Sequence, residues 1–495
     1  MLEALWEGLL LVLQWKAFGF MLLGIGLGFW VGLLPGLGGA TTLALMLPFI
    51  YTMQPVEAFA FLLGMHAVVA TTGDITSVLF GLPGEATSAA TVVDGYAMTK
   101  KGEAGRALGA ALASSLVGAI IGAVALAAAI PIVRPLVLTF GSPELFMLAI
   151  VGLAFIASLS GEGTRGMLRG FLAGGFGLLL ATIGQDPQSG TARFTFDSLY
   201  LMQGLDLVPV LVGIFAIPEI IDLFVRGSSI ANIPPGKVAK GAWEGVKDTF
   251  RHFGLTIRCS LIGTFIGVMP GLGGSVAQWL AYGHAAQSAK TPEERKQFGQ
   301  GDVRGVLGPG AANNSKEGGS LIPTVAFGVP GSTSMAILLG GFLLLGLVPG
   351  PDMLTKHIAV TYSMVWTIVL ANIITVALCF LFLDRLAGIT NVKGHRLIPI
   401  ILVLVFIGSY TSNRHYGDLL VTLFFGAVGY LMVLAGWPRA PFVLGLVLGK
   451  IAENYLYIST ARYEAAWLTR PVVLVLIVVA VLVIAYPFFQ ARSRG

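Results

Sequence analysis

The stretch GLLPGLGGATTL at Gly32–Leu43 returns in modified form as GVMPGLGGSVAQ at Gly267–Gln278, 235 positions further along (270 − 35 = 235). Both copies place one proline and several glycines within an apolar run. Proline lacks the backbone N–H that a helix needs and glycine loosens the backbone, so each copy should interrupt a helix. The recurrence predicts two helix breaks at matched positions of a duplicated chain.

A second pair of motifs supports the duplication. FGLPG at Phe80–Gly84 matches FGVPG at Phe327–Gly331, 247 positions later (327 − 80 = 247). Hydroxyl residues follow both, in EATSAAT from Glu85 and in STSMA from Ser332. Each half therefore carries two breakers in the same order, which is a much stronger signal than one match in a chain with 66 glycines.

The composition is that of a membrane protein. Hydrophobic residues make up 56% of the 495 residues, charged residues make up 11%, and the mean hydropathy is +0.85. Soluble domains carry about 25% charged residues. Apolar runs of about 20 residues recur, as membrane-spanning helices require. We therefore predict an all-α polytopic membrane protein that lies in a lipid bilayer. The acidic N-terminal segment has no cleavage signal, so we expect the first helix to be retained.

Several function classes find no support in the sequence. The net charge of +5 comes from basic residues in short loops, as the positive-inside rule describes, and not from a nucleic-acid surface. Cys259 and Cys379 lie in apolar helical sequence, which indicates neither a disulfide nor a thiolate metal site. No HExxH, CxxC, GxSxG or nucleotide-binding GxxxxGK[ST] pattern occurs. We expect no enzyme activity, no metal centre and no cofactor, with Na⁺ left open as a coupling ion.

The charges of the loops give the relative orientation of the two halves. The basic stretch at 226–258 separates them and should be cytoplasmic. The loop after the first PGLGG helix, 51–58, has no Lys or Arg, whereas its counterpart 290–304 is strongly basic. The loop after the first FGLPG helix, 100–106, is basic, whereas its counterpart 348–357 has one lysine. Corresponding loops thus prefer opposite sides, which predicts inverted-topology repeats with broken or re-entrant helices.

These patterns predict an order of segments along the chain. We expect about 11–12 membrane segments plus helical hairpins, with the C-terminus in the cytoplasm. The first-half crossing at 57–98 should be broken around 71–84, and its counterpart lies at 305–348. The predicted units are an N-terminal interfacial helix at 1–17, a first membrane repeat at 18–225, a cytoplasmic linker at 226–254, a second membrane repeat at 255–458, and an extra C-terminal span and tail at 459–495.

The breaks are candidate parts of one binding site. Non-helical backbone within a membrane persists only where it is buried in protein or lines a wet cavity. Four matched breaks therefore predict one cavity, where helix N-termini offer N–H groups and positive dipole ends to an anion. The alternative is that each break is only a tight hairpin and each hydroxyl only a helix cap. The candidate substrate-binding residues are Gly38, Gly39, Ala40, Thr41, Thr87, Ser88, Gly273, Gly274, Ser275, Asn313, Asn314, Lys316, Gly331, Ser332 and Thr333.

Ionisable residues inside membrane segments are functional candidates. Lys316 could contact a substrate carboxylate or pair with Glu317. Asp74 could bind Na⁺ or a proton, or it could cap the broken helix. The coupling-ion candidates are Asp74, Thr76, Ser77 and Asn314. For His66 we expect a packed, neutral imidazole.

At these residues the chain resembles the large membrane subunit of tripartite tricarboxylate transporters, the TctA-like family. The resemblance covers nearly the whole chain and includes the specific DGYAMTKKG at Asp94–Gly102. The other matching stretches are GLLPGLGGATTLALMLPF from Gly32, LPGEATSAATVVDGYAMTKKGEAGRAL from Leu82, GVMPGLGG from Gly267 and NNSKEGGSLIPTVAFGVPGS from Asn313.

The resemblance implies a multi-pass permease of the bacterial inner membrane. It would work with a small membrane subunit and with a periplasmic solute-binding protein that delivers a carboxylate. An Na⁺ or H⁺ gradient would drive import, and by analogy with other inverted-repeat carriers the motion would be of the elevator type. A homodimer is an open alternative to a monomer.

Two positions depart from the family pattern. Relatives commonly have small residues where this chain has Lys316 and Glu317, and often a Tyr-Gly-Gly-Ser-like stretch where it has Thr71–Asp74. The substrate is therefore left open among tricarboxylates, dicarboxylates and aromatic carboxylates. The alternative functions are a stand-alone secondary anion carrier, a channel built from broken half-helices, and an intramembrane aspartyl protease, for which Asp74 has no matching second carboxylate.

Overall fold

The computed structural model describes residues 1–32, 38–81, 83–159, 163–186, 188–226, 241–270, 272–389 and 398–492. Most of these residues are helical, so the prediction of an all-α protein is confirmed. The helices of the first half are α1 Leu2–Leu13, α2 Trp15–Gly32, α3 Gly39–Met46, α4 Pro55–Phe80, α5 Ala89–Lys100, α6 Ala104–Val137, α7 Ser142–Leu159, α8 Gly163–Ala181, α9 Leu199–Met202 and α10 Leu207–Arg226.

The second half continues with α11 Ala242–Arg251, α12 Phe253–Val268, α13 Gly273–Gln287, α14 Pro292–Arg295, α15 Arg304–Phe327, α16 Thr333–Leu344, α17 Ile358–Ile389, α18 Ile398–Asn413, α19 Tyr416–Leu434, α20 Arg439–Tyr463 and α21 Pro471–Arg492. Short 3-10 helices occur at Leu47–Ile50, Ala86–Ser88, Pro351–Leu354 and Ala466–Thr469. The two-residue strands β1 Gly184–Gln185 and β2 Ala192–Arg193 pair antiparallel.

Six helices of the described chain are long and apolar enough to cross a membrane, which supports a multi-pass membrane protein. They are α2, α4, α6, α17, α19 and α20. Other apolar helices, such as α12 and α16, are shorter than a full span. The larger predicted number of segments, the inverted orientation of the repeats and the elevator motion stay predictions.

The two FGxPG motifs form the same local turn. Helix α4 ends at Gly81, with φ 68° and ψ 16°, and helix α15 ends at Gly328, with φ 68° and ψ 19°. Both glycines are left-handed helix C-caps, a conformation that side chains with a Cβ avoid. Each break is followed by a new helix start, at Ala86 in the first half and at Thr333 in the second.

The first break lies later than the sequence predicted. Helix α4 is continuous through 71–80, so the expected break around 71–84 is wrong in its N-terminal part. The hydroxyls of Thr71, Thr72 and Ser77 donate to carbonyls four residues earlier, at 2.8–2.9 Å, and remain satisfied within the helix. This local bonding lets polar residues stay helical where their polarity indicated a break.

Helices α6 and α15 approach so closely that backbone touches backbone. A Cβ placed on Gly122 of α6 would lie 2.5 Å from the carbonyl oxygen of Ser315, and one on Gly318 of α15 would overlap the backbone of Gly122. Small residues allow such contacts between membrane helices. This seam joins the two halves of the chain and holds α15 in the interior.

Parts of three predicted features, the PGLGG motifs, the first FGxPG motif and the linker, lie outside the described residues. These are residues 33–37 and 271 of the PGLGG motifs, residue 82, and residues 227–240 of the linker. The described end of the linker forms α11, whose Asp248 accepts a hydrogen bond from Arg106 of α6 at 2.6 Å. The described end of the linker therefore packs against a helix of the first half, α6.

Candidate functional site

Four helix starts meet at one cavity of about 590 Å³. The first half contributes Gly38–Thr41 at the start of α3 and Pro83–Thr87 around the 3-10 helix before α5. The second half contributes Gly273–Ser275 at the start of α13 and Ser332–Ser334 at the start of α16. Helix starts carry unsatisfied N–H groups and the positive end of the helix dipole, so their convergence favours an anion.

Most of the predicted site residues lie in the wall of this cavity. They are Gly38, Gly39, Ala40, Thr41, Thr87, Gly273, Gly274, Ser275, Lys316, Ser332 and Thr333. Four others do not line it: Ser88, Asn313, Asn314 and Gly331. The Ser88 hydroxyl bonds to Ser77 and to the Glu85 carbonyl, and Gly331 packs against the backbone of Gly267. That the lining residues bind a ligand stays a prediction.

We call Gly38–Thr41 together with Pro83–Thr87 the first-half wall. Its centre is Glu85, whose carboxylate accepts a hydrogen bond from Gly39 N–H at 3.1 Å and another from the Thr87 hydroxyl. Ser88 N–H donates to the Glu85 backbone carbonyl at 3.0 Å, and the Ser88 hydroxyl accepts from Glu85 N–H at 3.3 Å. The carboxylate of Glu85 thus bridges two helix starts, and the sequence analysis did not identify it.

We call Gly273–Ser275, Lys316 and Ser332–Ser334 the second-half wall. The Ser332 hydroxyl caps α16 by accepting from Met335 N–H at 3.3 Å. The alkyl chain of Lys316 lies directly against Gly274, where an added Cβ would also meet Thr87 Cγ2 at 2.6 Å. The second-half wall therefore offers a cation and N–H groups, without a carboxylate in front of them among the described residues.

Lys316 pairs with Glu317, as one of the two alternatives had it, whereas its contact with a substrate carboxylate stays a prediction. Its ammonium group pairs with Glu317, and its side chain also lines the cavity. Glu317 in turn lies 3.1 Å from His66 Nε2. His66 is buried as expected, with 3% exposure, but it lines the cavity as well, and its Nδ1 has no hydrogen-bond partner among the described residues.

A third part of the wall comes from α10 and α20 and was missed by the sequence analysis. Arg439 donates to Glu219 at 3.1 Å and to the Ile214 carbonyl at 3.2 Å, and its guanidinium lies 5.2 Å from the centre of the Phe215 ring. Trp437 lies beside it in the wall. The only signal was another proline-containing helix start with a basic residue, WPRAP at 437–441.

A buried polar cluster adjoins the cavity on α4 and α15. Asp74, 1% exposed, accepts a hydrogen bond from Asn313 at 3.1 Å, while its Oδ1 and the Asn313 Oδ1 have no partner in the described parts of the chain. Asp74 lies inside α4 and does not cap a helix, so that alternative is wrong. Thr76 and Ser77 both donate to the Gly73 carbonyl.

Asn314 shows the same excess of acceptor oxygens. Its amide nitrogen lies 2.9 Å from the Thr71 hydroxyl, 2.7 Å from the Ser115 hydroxyl and 2.6 Å from Asn372 Oδ1. An amide NH₂ has only two hydrogens for these three oxygens. Buried acceptors without donors are costly, so this cluster suits a small cation or an additional proton.

A second cavity, of about 490 Å³, lies at the opposite ends of the same helices. Leu207 of α10 and Leu343 of α16 line it, whereas Phe215 and Thr333 of these helices line the first cavity. At 1.5 Å per residue, the two cavities are roughly 12–15 Å apart. Fully buried apolar side chains fill the space between them: Val210, Leu211, Ile337, Leu338 and Phe442.

Comparison with known proteins gives one family. The family model described as the tripartite tricarboxylate transporter TctA family matches residues 18–444. A protein of Agrobacterium vitis named "Uncharacterized 52.8 kDa protein in TAR-I ttuC' 3'region" is 34% identical over 433 residues, which cover 88% of this chain and 85% of that protein. A second, "Uncharacterized protein in TAR-II ttuC' 3'region", is 32% identical over 194 residues, 39% of this chain and 79% of the relative. No solved structure matches significantly.

Proposed function

Because the chain belongs to the tripartite tricarboxylate transporter TctA family, we propose that it is the permease subunit of a secondary transporter that imports a carboxylate across the bacterial inner membrane. The observation that carries the proposal is the convergence of four helix starts on one cavity. A carboxylate there would receive backbone N–H groups aligned with helix dipoles, and it would need no metal.

The two cavities support alternating access to this site. The first cavity contains the helix starts, and the second is separated from it by packed apolar side chains of α10, α16 and α20. A substrate passes between the two only if these helices move. A pore that is open to both sides at once would have no such layer, so the layer favours a carrier over the channel alternative.

The buried cluster around Asp74 is the proposed site of the coupling ion. Asp74 is eight residues from His66 on α4 (74 − 66 = 8), and Asn313 is three residues from Lys316 on α15 (316 − 313 = 3). A cation held at this cluster would therefore act on the two helices that also form the cavity. Na⁺ or H⁺ would serve, because both relieve the excess of acceptor oxygens.

The partners belong to the same proposal. We expect a small membrane subunit and a periplasmic solute-binding protein, as in the tripartite system that gives the family its description. The opposite charge preferences of corresponding loops support inverted repeats, and a site at the meeting point of the repeats supports an elevator-type motion.

The test is uptake of radiolabelled carboxylates into proteoliposomes. They contain this chain with its small subunit, under an imposed Na⁺ or H⁺ gradient, with and without the binding protein. We expect saturable uptake that requires both the gradient and the binding protein. Uptake that is independent of the binding protein would support a stand-alone carrier, and non-saturable flux would support a channel.

A matched pair of variants tests the position of the site. In Gly274→Val, the new side chain meets Lys316 and Thr87 at the cavity, whereas an added Cβ at Gly283 of the same helix meets nothing within 4 Å. We expect Gly274→Val to abolish uptake and Gly283→Val to retain it, with equal amounts of both proteins in the membrane. Normal uptake by Gly274→Val would contradict the assignment of the cavity.

A further inference from the structure

Glu85 and Ser332 occupy equivalent positions in the two halves. The offset of the FGxPG motifs is 247, and it relates Glu85 to Ser332 (332 − 85 = 247). Both residues precede a helix start. The Ser332 hydroxyl accepts a hydrogen bond from Met335 N–H, whereas Ser88 N–H donates to the backbone carbonyl of Glu85 at 3.0 Å. The same position therefore carries a helix-capping hydroxyl in the second half and, in the first half, a carboxylate that bonds elsewhere.

The carboxylate reaches a second helix start that the hydroxyl leaves open. Glu85 accepts from Gly39 N–H at 3.1 Å. Gly274 corresponds to Gly39 through the PGLGG offset (274 − 39 = 235). The start of α13, where Gly274 lies, has no side-chain cap among the described residues. Lys316 lies against Gly274 instead. The first-half wall is thus filled by a negative group, and the second-half wall is open and faces a positive one.

We propose that Glu85 is a resident carboxylate that occupies the first-half copy of a duplicated carboxylate site, so that substrate binds through a single carboxylate at the second-half wall. The proposal rests on the transport function proposed above and specifies its substrate class. It assigns a preference for monocarboxylates over dicarboxylates and tricarboxylates, with Glu85 as the residue that sets this preference.

Two further observations concern which anion the cavity accepts. His66, 3% exposed, lines the cavity on the side of the first-half wall, because its Nδ1 would lie 2.4 Å from a Cβ at Gly39. This Nδ1 has no partner among the described residues, so one polar atom in the cavity remains for a ligand. The charged residues of the cavity also disfavour a ligand with several negative charges, because acids outnumber bases in the cavity lining and directly behind it. The charged residues there are the acids Glu85, Glu219 and Glu317 and the bases Lys316 and Arg439.

The test compares three α-hydroxy acids that carry one, two and three carboxylates: lactate, malate and citrate. Binding to the purified full-length protein in detergent is measured by calorimetry at fixed pH and salt, with Na⁺ present. For the wild type we expect lactate to bind at least about tenfold more tightly than citrate, since a second carboxylate meets Glu85 in place of N–H donors.

Three variants locate the cause of this preference. Glu85→Ser copies the residue at 332, whose hydroxyl can cap the helix, and it opens the Gly39 N–H. We expect the malate affinity of this variant to rise about tenfold or more relative to its lactate affinity. Ser332→Glu fills the second-half wall in the same way and should abolish binding of all three acids. Glu103→Ser removes an exposed acid at the start of α6 and should leave the order of affinities unchanged.

The outcomes separate this inference from the proposed function. Tight binding of citrate by the wild type, or an unchanged order of affinities in Glu85→Ser, would overturn the role of Glu85 and leave a carboxylate transporter. If neither the wild type nor Glu85→Ser binds any of the three acids, Glu85→Ser unfolds at the wild-type temperature, and the wild type takes up no carboxylate in the proteoliposome assay, the proposed function itself fails and the inference fails with it.

Discussion

The first-half wall presents Glu85 to the central cavity, while the second-half wall presents Ser332 and Lys316. Both walls are built on the same backbone, with left-handed glycines at 81 and 328 followed by capped helix starts. The left-handed turns require glycine, and the FGxPG motifs are alike in both halves. The side chains that point into the cavity carry no such constraint, and they differ in charge. We infer that the shared backbone builds the cavity, whereas single side chains set the charge of its lining.

The largest expected effect comes from the ion pair that only the second half has. The first-half counterparts of Lys316 and Glu317 are Val69 and Ala70 (316 − 247 = 69; 317 − 247 = 70), which are apolar. We expect Lys316→Met to lower the free energy of unfolding by up to roughly 3–5 kcal/mol, because the buried Glu317 carboxylate keeps only the His66 imidazole as a partner. Unfolding in detergent, followed by circular dichroism, measures the loss.

A double variant is the control for this prediction. Lys316→Met with Glu317→Gln removes both charges and should recover most of the stability, since no unpaired charge remains buried. A double variant as unstable as the single one would mean that the pair itself, and not the stranded carboxylate, stabilises the second half.

The matched glycines provide a test of intermediate size. Gly328→Ala should cost about 1–2 kcal/mol, since alanine is strained in the left-handed region and the nearest atom to its Cβ is 3.6 Å away. Gly81→Ala should cost more, because its Cβ would lie 2.7 Å from the Tyr96 ring in addition to the backbone strain. Unfolding midpoints of the two variants measure the difference. Equal losses would show that the Tyr96 ring moves aside without cost.

The smallest expected effect concerns the loop charges that distinguish the halves. Arg304 donates a hydrogen bond to Glu294 at 2.9 Å and so lowers the pKa of that carboxyl below 4.5. A carboxyl whose pKa is lower in the folded state stabilises the protein above its unfolded pKa and loses that contribution as the pH falls through its folded pKa. Glu294→Gln should therefore lower the unfolding temperature slightly at pH 7, and the two proteins should converge below pH 4.5. A difference that grows toward acid pH would contradict this assignment.

The sequence predicted the backbone of the site better than its side chains. Proline and glycine act locally, so the motifs gave the positions of α3, α13 and α16 directly. Glu85 was not identified because its contact with Gly39 joins residues 46 positions apart. Arg439 was missed for the same reason, since it pairs with Glu219 across 220 positions. Such contacts depend on packing that no local pattern contains.

A second error concerned which face of a helix a residue lies on. Asn314 and Lys316 were grouped in one site, yet residues two apart on a helix point in nearly opposite directions. Asn314 faces Ser115 of α6 and Asn372 of α17, whereas Lys316 faces the cavity. The helical period alone would have separated these two residues, so this part of the site was within reach of the sequence.

The glycine seam between α6 and α15 has a mechanical consequence. Helices that pack through interlocking side chains slide past each other by small changes of rotamer. At Gly122 and Gly318 there are no side chains to adjust, because one backbone rests directly on the other. We therefore expect the seam to resist shear, so that α6 and α15 would move together in any conformational change. A displacement of Lys316 would then carry the first-half helix α6 with it, and the boundary between moving and fixed parts would lie elsewhere in the molecule.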